Sequence, residues 1–306
     1  MRRLALVLAA CAGCDGPSGS DVGTARDAGA SAVDARAVDA DAFVGAPTDG
    51  SVDVGTRPDA GPIDGGALAP RLPPPNAGLD YQLGGAYPPP SGVGIVSRDR
   101  NADPAPGLYN VCYVNGFQIQ PDEEAFWLAE HPDLILRDAS GAPVIDADWD
   151  EMLLDVGTPE RRAAIAEIVG AWIDGCAARG FDAVEIDNLD TFSRSSGLLS
   201  EDDCVAQMAL FSARAHARGL AIAQKNAAEL VGRRAELGTD FVVAEECNRY
   251  DECDVYTRAY GDAVLVIEYR RADFEAGCAA FPDLSIVLRD IDLVPPGRAG
   301  YVYDGC

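Results

Sequence analysis

The chain has 306 residues with 50 acidic and 24 basic side chains, and its formal net charge is −26 at pH 7. Because phosphate groups would be repelled by a chain this acidic, we do not expect it to bind nucleic acid. The charge suits a neutral or cationic ligand, and it also suits solubility alone, so it identifies no substrate by itself.

The N-terminal segment, residues 1–14, is typical of a bacterial lipoprotein signal peptide. Two arginines precede an apolar run of seven residues. The run ends in Leu8-Ala9-Ala10-Cys11, which fits the lipobox, in which small residues precede an acylated cysteine. We therefore expect an exported protein, either secreted or anchored at the bacterial cell envelope through a lipid on Cys11 and touching the membrane only there. A cytosolic N-terminus that happens to be apolar is the alternative.

Residues 15–78 are predicted to form a disordered acidic linker. They are rich in Asp, Ala, Gly, Val, Pro and Ser, and their ten Asp and four Arg give a net charge of −6. Such a composition buries too little apolar area to offset the entropy lost on ordering. We expect this segment to serve as a spacer that extends the reach of the domain, and we assign it no catalytic or binding residues.

The remaining residues, 79–306, are about the size of one α/β barrel domain. Short apolar runs typical of strands alternate here with amphipathic stretches typical of helices. The predicted strands are 93–97, 109–114, 152–155, 183–187, 220–224, 241–245, 264–268 and 285–289, and the predicted helices lie near 121–130, 158–179, 201–218, 227–236, 251–260 and 271–280. This alternation favours a (β/α)8 TIM barrel whose first units are degenerate. An open doubly wound sheet is the alternative, although no Gly-rich phosphate turn follows the first predicted strand.

Polar side chains collect at the predicted C-terminal ends of the strands, where barrel enzymes place their active sites. These ends carry Asp155, Glu185, Asp187, Asn188, Lys225, Asn226, Glu245, Glu268 and Tyr269. The alternation of side chains along a strand turns Glu185 and Asp187 toward the barrel interior. The same alternation turns Glu245 inward and Glu246 outward. Asp187 and Glu245 are therefore predicted to project into one mouth.

Lys225 is the only lysine in the chain and ends the predicted strand between those that carry Asp187 and Glu245. An inward ammonium group there would keep Asp187 ionised or contact substrate hydroxyls. Glu185, deeper in its strand, would hold Lys225 or tune Asp187. A lysine that forms a Schiff base with a carbonyl substrate is an alternative.

Seven of the nine cysteines lie in the predicted domain, and export permits disulfides. Cys247 and Cys253, on either side of a predicted loop, are expected to pair. Cys278 and Cys306 are a second candidate pair. Because seven is odd, one thiol should be free, and we predict it to be Cys112, inside an apolar strand. A zinc site is disfavoured because the domain has no CxxC motif and only two histidines.

Several segments, taken together, resemble glycoside hydrolase family 114, the endo-α-1,4-polygalactosaminidase family, which has a barrel fold. They are, in chain order, Asp80-Tyr81-Gln82-Leu83, Val184-Glu185-Ile186-Asp187-Asn188, Lys225-Asn226, Glu245-Glu246-Cys247 and Ile267-Glu268-Tyr269. The resemblance covers about residues 79–306. It places Asp187 on the acid of the family's Glu-Pro-Asp-Asn motif and Glu245 on the acid of its Asn-Glu-Gln-Cys motif, although Ile186 replaces the usual Pro. These are the two acids that strand alternation selects.

The resemblance implies an endo-acting glycoside hydrolase that cleaves an α-1,4-linked, galactosamine-containing polysaccharide with two carboxylates. We predict Asp187 as nucleophile or base and Glu245 as proton donor, with the reverse assignment as the alternative. Deacetylated galactosamine is cationic and would suit a domain whose net charge is −22.

The substrate is expected to contact further residues of the mouth. Tyrosines are predicted to stack on sugar faces, and the full set of predicted contacts is Tyr81, Tyr113, Glu185, Asn188, Lys225, Asn226, Tyr250, Glu268 and Tyr269. We expect a monomer that needs no cofactor.

Two other functions are compatible with the same residues. A non-catalytic carbohydrate-binding barrel lipoprotein would use the mouth for binding alone, although the retained acid pair argues against it. A metal-dependent barrel hydrolase would use Glu185, Asp187 and Glu245 as oxygen ligands.

Overall fold

The computed structural model describes residues 70–306. The predicted signal peptide, the lipidation site at Cys11 and the predicted linker up to residue 69 lie outside the described residues. Within the described range, no helix has the length and apolar character needed to cross a membrane. Regular structure in that range begins at Gly78.

The described residues contain twelve strands and six α-helices. The strands are β1 Gly78–Tyr81, β2 Val93–Asp99, β3 Tyr109–Asn115, β4 Gln118–Ile119, β5 Ile145–Asp146, β6 Glu151–Leu153, β7 Ala183–Asp187, β8 Ala221–Lys225, β9 Phe241–Glu245, β10 Val264–Glu268, β11 Ser285–Arg289 and β12 Tyr303–Gly305. The helices are α1 Glu124–Glu130, α2 Pro159–Arg179, α3 Glu201–Ala217, α4 Arg234–Leu237, α5 Cys253–Tyr260 and α6 Arg271–Ala280.

The main sheet forms a nearly closed barrel. Its strand order is β1-β2-β3-β7-β8-β9-β10-β11-β12, and every neighbouring pair is parallel except β12, which runs antiparallel to β11. Arg289, at the end of β11, bridges to β1 by donating to Asp80 Oδ1 at 3.1 Å and to the Tyr81 carbonyl. Eight parallel strands interleaved with helices confirm the predicted (β/α)8 TIM barrel. No α-helix separates β1, β2 and β3, as expected for degenerate first units.

The predicted strand over residues 152–155 is not a barrel strand. Glu151–Leu153 forms β6 of a separate three-stranded antiparallel sheet, with strand order β4-β6-β5. The barrel instead begins with the four-residue strand Gly78–Tyr81. A short apolar run indicates burial, but it does not specify which sheet its backbone joins.

The helix before β7 has clear start and stop signals. Thr158 Oγ1 accepts a hydrogen bond from the Arg161 backbone N–H at 3.3 Å, and Pro159 occupies the first turn. Gly180 ends α2 in the left-handed region at φ 88°. The predicted helix over residues 158–179 is confirmed, and it delivers the chain to the strand that carries Glu185 and Asp187.

Side-chain alternation in β7 and β9 agrees with the prediction. In β7, Val184 and Ile186 pack in the layer between sheet and helices, whereas Ala183 lies in the barrel interior. In β9, Val242 lies in the outer layer and Val243 in the interior. Glu185 and Asp187 share the inward side of β7 with Ala183, and Glu245 shares the inward side of β9 with Val243. These acids therefore point toward the barrel axis.

Three disulfides link the described residues. Cys247–Cys253 and Cys278–Cys306 are present, as expected. The prediction that Cys112 is free is wrong, because Cys112 is bonded to Cys176. Cys112 points outward from β3 toward α2, which brings the two Cα atoms to 6.1 Å, a distance suited to a disulfide. The free thiol among the described residues is the buried Cys204 on α3.

This disulfide pattern predicts the outcome of thiol labelling. Alkylation in denaturant without reductant, followed by peptide mapping, should modify Cys204 and leave Cys112 and Cys176 as a linked pair. The Cys204→Ala variant should show no labelling between residues 70 and 306. Labelling of Cys112 in the unreduced wild type would contradict the assignment.

Candidate active site

Three neighbouring strands bring charged side chains to the same end of the barrel. Asp187 ends β7, Lys225 ends β8 and Glu245 ends β9. The residue after each of them has a left-handed backbone, with φ of 64° at Asn188, 46° at Asn226 and 55° at Glu246. This conformation costs a non-glycine residue energy and is often found at functional sites. The chain thus turns sharply just past each charged side chain.

The Lys225 ammonium group is the centre of the site. Its Nζ lies 3.3 Å from Glu185 Oε1, 3.2 Å from Asp187 Oδ1 and 3.2 Å from Glu245 Oε2. It also lies 3.2 Å from the Tyr81 hydroxyl oxygen. The side chain is only 3% exposed. A buried ammonium group must be compensated, and three carboxylates do so here.

Glu185 forms the floor of the site. Its carboxylate is fully buried and accepts hydrogen bonds from the Tyr81 hydroxyl at 2.6 Å and from Ser97 Oγ at 2.9 Å. Burial raises the pKa of Glu185, and the Lys225 charge opposes that rise. With both oxygens occupied, Glu185 is suited to holding Lys225 in place, the supporting role predicted for it.

Asp187 is held in its ionised form. Burial by itself would raise the pKa of Asp187, but the charge of Lys225 and hydrogen bonds from Tyr113 and the Asn188 backbone outweigh it and lower the pKa. Tyr113 donates its hydroxyl to Oδ2 at 2.7 Å, and the Asn188 N–H donates to Oδ1 at 2.9 Å. A carboxylate kept ionised in this way can act as a nucleophile or a base.

Glu245 is the more accessible of the two predicted catalytic acids. Its side chain is 26% exposed, against 19% for Asp187. The Tyr269 hydroxyl donates to Oε1, and Asn226 Nδ2 donates to Oε2 at 3.2 Å. Asn226 Oδ1 in turn accepts the backbone N–H of Glu245 at 2.8 Å. Asn226 therefore fixes both the backbone and the carboxylate of Glu245.

Two of the alternatives from the sequence fit this geometry poorly. The three carboxylates raise the pKa of Lys225 well above its usual value even though burial opposes them, and a protonated amine cannot attack a carbonyl. The metal-site hypothesis places an ion among Glu185, Asp187 and Glu245, where the Lys225 ammonium group already binds an oxygen of each. Because these carboxylates already surround the lysine ammonium group, they do not fit a second cation.

Not every predicted contact residue reaches the mouth. Glu268 is in phase with the outward-facing Val266 and accepts hydrogen bonds from Asn248 N and Nδ2 at 2.9 and 3.1 Å. The Glu268 side chain therefore points away from the barrel interior, and alternation along β10 does not support its predicted contact with the substrate. Tyr81 is 1% exposed, so its ring lies beneath the site. Tyr250 is 51% exposed, and its hydroxyl does not contact Asp187 or Glu245, so it lies at the periphery of the site.

The structure adds a residue that the sequence analysis missed. Glu151, on β6, accepts a hydrogen bond from Asn115 Nδ2 at 3.1 Å, and Asn115 is the register partner of Asp187. Burial, reinforced by the negative charge of Asp187, raises the pKa of Glu151 to about 7. A barrel strand over residues 152–155, as predicted, would begin just after Glu151. It would therefore place Glu151 at the end of the barrel opposite to the active site.

Replacing Lys225 should destabilise the protein in a pH-dependent way. Lys225→Met leaves buried carboxylates without their cation, which should cost roughly 3–5 kcal/mol at neutral pH. Without the ammonium group, the already raised folded-state pKa of Glu185 rises further, and the folded-state pKa of Asp187 rises above its unfolded value. The stability deficit should therefore shrink as the pH falls and grow as it rises through those pKa values.

Chemical denaturation of wild type and Lys225→Met at pH 5 and pH 8 measures this deficit. Lys225→Arg, which keeps the charge, is the matched control and should lose less stability at pH 8. A deficit of equal size at both pH values would contradict the electrostatic explanation.

Comparison with known proteins places this geometry in a family. Residues 65–306 match the model of glycoside-hydrolase family GH114. Ega3 of Aspergillus fumigatus, solved in complex with galactosamine, is similar with a TM-score of 0.61 and 22% identity over 78% of this chain and 98% of that chain. The glycoside hydrolase domain of PelA from Pseudomonas aeruginosa is similar with a TM-score of 0.52 and 17% identity over 74% and 99% of the respective chains.

No protein with a curated description matches the sequence significantly. At these identities the two solved structures establish the barrel fold alone. The family match, in contrast, spans most of the chain and every residue of the cluster around Lys225. The chain therefore belongs to glycoside-hydrolase family GH114 and is a glycoside hydrolase.

Proposed function

We propose that this glycoside hydrolase cleaves an α-1,4-linked, galactosamine-containing polysaccharide from within the chain, with Asp187 and Glu245 as its two catalytic carboxylates. The observation that carries the proposal is the Lys225 ammonium group, 3.2 Å from an oxygen of each acid at the mouth of the barrel. The galactosamine bound in the structure of Ega3 supports the sugar class. The net charge of −26 is compatible with a cationic polymer.

The environments of the two acids support different roles. Asp187, with its lowered pKa, would attack the anomeric carbon, while Glu245 would protonate the leaving glycosidic oxygen. Water would then hydrolyse the glycosyl-enzyme bond, with Glu245 as the base that takes up the water proton. Tyr113 and Tyr269, which hydrogen-bond one acid each, would hold the carboxylates at the reacting carbon and oxygen.

Removal of either acid should strongly reduce turnover. Asp187→Asn and Glu245→Gln preserve size and most hydrogen bonds but remove the attacking carboxylate and the proton donor, so each should lower the rate by about 10²–10⁴-fold. The measurement is the release of reducing ends from a soluble α-1,4-galactosamine polymer, with product sizes distinguishing internal from terminal cleavage.

Glu246→Gln is the matched control, since Glu246 is the next acid in the chain but pairs with Arg249 at 2.5 Å outside the cluster. It should retain near wild-type activity. Full activity in Asp187→Asn or Glu245→Gln would refute the assignment. Polymer binding without any release of reducing ends by the wild type would favour the non-catalytic alternative.

The spacing of the acids is compatible with retention of anomeric configuration. Asp187 Oδ1 and Glu245 Oε2 each lie 3.2 Å from Lys225 Nζ, so these two oxygens are at most 6.4 Å apart. Retaining glycosidases hold their carboxyl groups about 5–5.5 Å apart, whereas inverting enzymes need about 6.5–9.5 Å to admit a water molecule. The bound of 6.4 Å on this oxygen pair admits the retaining separation, and the lowered pKa of Asp187 suits a nucleophile, so we propose a double-displacement mechanism.

Time-resolved proton NMR of the first products tests the stereochemistry. An α-linked polymer cleaved with retention gives the α-anomer first, and mutarotation then produces the β-anomer. Initial appearance of the β-anomer would contradict the double displacement.

We propose that the enzyme acts outside the cytoplasm. Three disulfides among the described residues suit an oxidising compartment. The lipid anchor at Cys11 and the monomeric state stay predictions from the sequence.

A further inference from the structure

Glu151 lies beside the catalytic residues without a role in the proposed reaction. It begins β6, opposite Asp146 of β5 in a short hairpin inserted between β3 and α2. Asp146 Oδ2 lies 2.6 Å from Nε of Arg194, in the segment that follows β7. The hairpin is therefore anchored to the segment that follows β7.

A short hydrogen-bonded path connects Glu151 to Asp187. Asn115 Nδ2 donates to Glu151 Oε2 at 3.1 Å, and Asn115 Oδ1 accepts from Asn188 Nδ2 at 3.2 Å. The Asn188 backbone N–H donates to Asp187 Oδ1. Two asparagines thus fix the position of Glu151 relative to the catalytic carboxylate.

Glu151 has no cationic partner among the described residues, although it is partly buried. The nearby cations are paired with other acids: Lys225 with its three carboxylates, and Arg194 with Asp146 and Asp190 at 2.6 and 3.0 Å. Oxygen Oε2 is held by Asn115, and Oε1 accepts no hydrogen bond from the described residues. A partly buried carboxylate without a cationic partner would be stabilised if a cation bound to it.

We propose that Glu151 binds the ammonium group of a deacetylated galactosamine unit in the sugar subsite beside Asp187, and so selects deacetylated over acetylated units at that position. This inference rests on the proposed function. A carboxylate and an ammonium group form a charge-assisted hydrogen bond, which is about twice as strong as a neutral one. An N-acetyl group carries no charge to compensate Glu151 and is bulkier. Because Asp187, Asp146 and Glu123 add negative charge around Glu151, a bound cation would relieve repulsion there.

The selectivity can be measured as a choice among cleavage sites within one substrate. Wild type and Glu151→Gln are given a partially N-acetylated α-1,4-galactosamine polymer, and mass spectrometry of the products gives the ratio of deacetylated to acetylated units on each side of the cut. We expect wild type to favour deacetylated units in one subsite. Glu151→Gln should reduce that ratio about tenfold, the loss expected for one hydrogen bond to a charged group. The ratio does not depend on the fraction of folded enzyme.

Two further variants separate a specific contact from a general effect of charge. Asp148→Asn removes one negative charge from the exposed turn of the same hairpin and should leave the ratio unchanged. Glu151→Asp keeps the charge and should retain more of the preference than Glu151→Gln. An unchanged ratio in Glu151→Gln, or an equal shift in Asp148→Asn, would overturn this inference while the proposed function stands. Failure of the wild type to cut the polymer would overturn both.

Discussion

A buried ammonium group surrounded by three carboxylates is the constraint on which the rest of the site depends. Lys225 is nearly inaccessible to water, so its charge is stable only while Glu185, Asp187 and Glu245 all face it. The carboxylates depend equally on the lysine, because each would repel the others without it. The ends of β7, β8 and β9 must therefore lie close together for these charges to be stable.

The barrel makes that convergence possible. Parallel strands β7, β8 and β9 are neighbours in the sheet, so their final residues lie at one edge. Alternation aims the charged side chains at the axis, while the outward-facing residues pack against the helices. The Arg289 bridge links the last parallel strand to the first, and Tyr81 of that first strand places its hydroxyl oxygen beside Lys225.

The electrostatics of the mouth connect structure to chemistry. One ammonium group balances only part of the charge of the carboxylates around it, so the cluster is negative overall. The Lys225 charge and the hydrogen bonds to Asp187 keep that acid ionised against these negative surroundings, and the net negative charge would attract the cationic polymer proposed as substrate. This net negative charge is the physical basis for proposing an amino-sugar substrate.

Local sequence patterns sufficed to predict which acids of β7 and β9 point into the barrel and which strand ends carry charge, because strand alternation depends only on neighbouring residues. These patterns identified Asp187, Lys225 and Glu245 in this way, as well as the short-range Cys247–Cys253 bridge. Contacts between segments that are distant in the chain became visible only in the folded protein. The Cys112–Cys176 bridge spans 64 residues, and β6 joins a small outer sheet that places Glu151 beside Asp187. These contacts depend on how the elements pack together, and no local pattern encodes that packing.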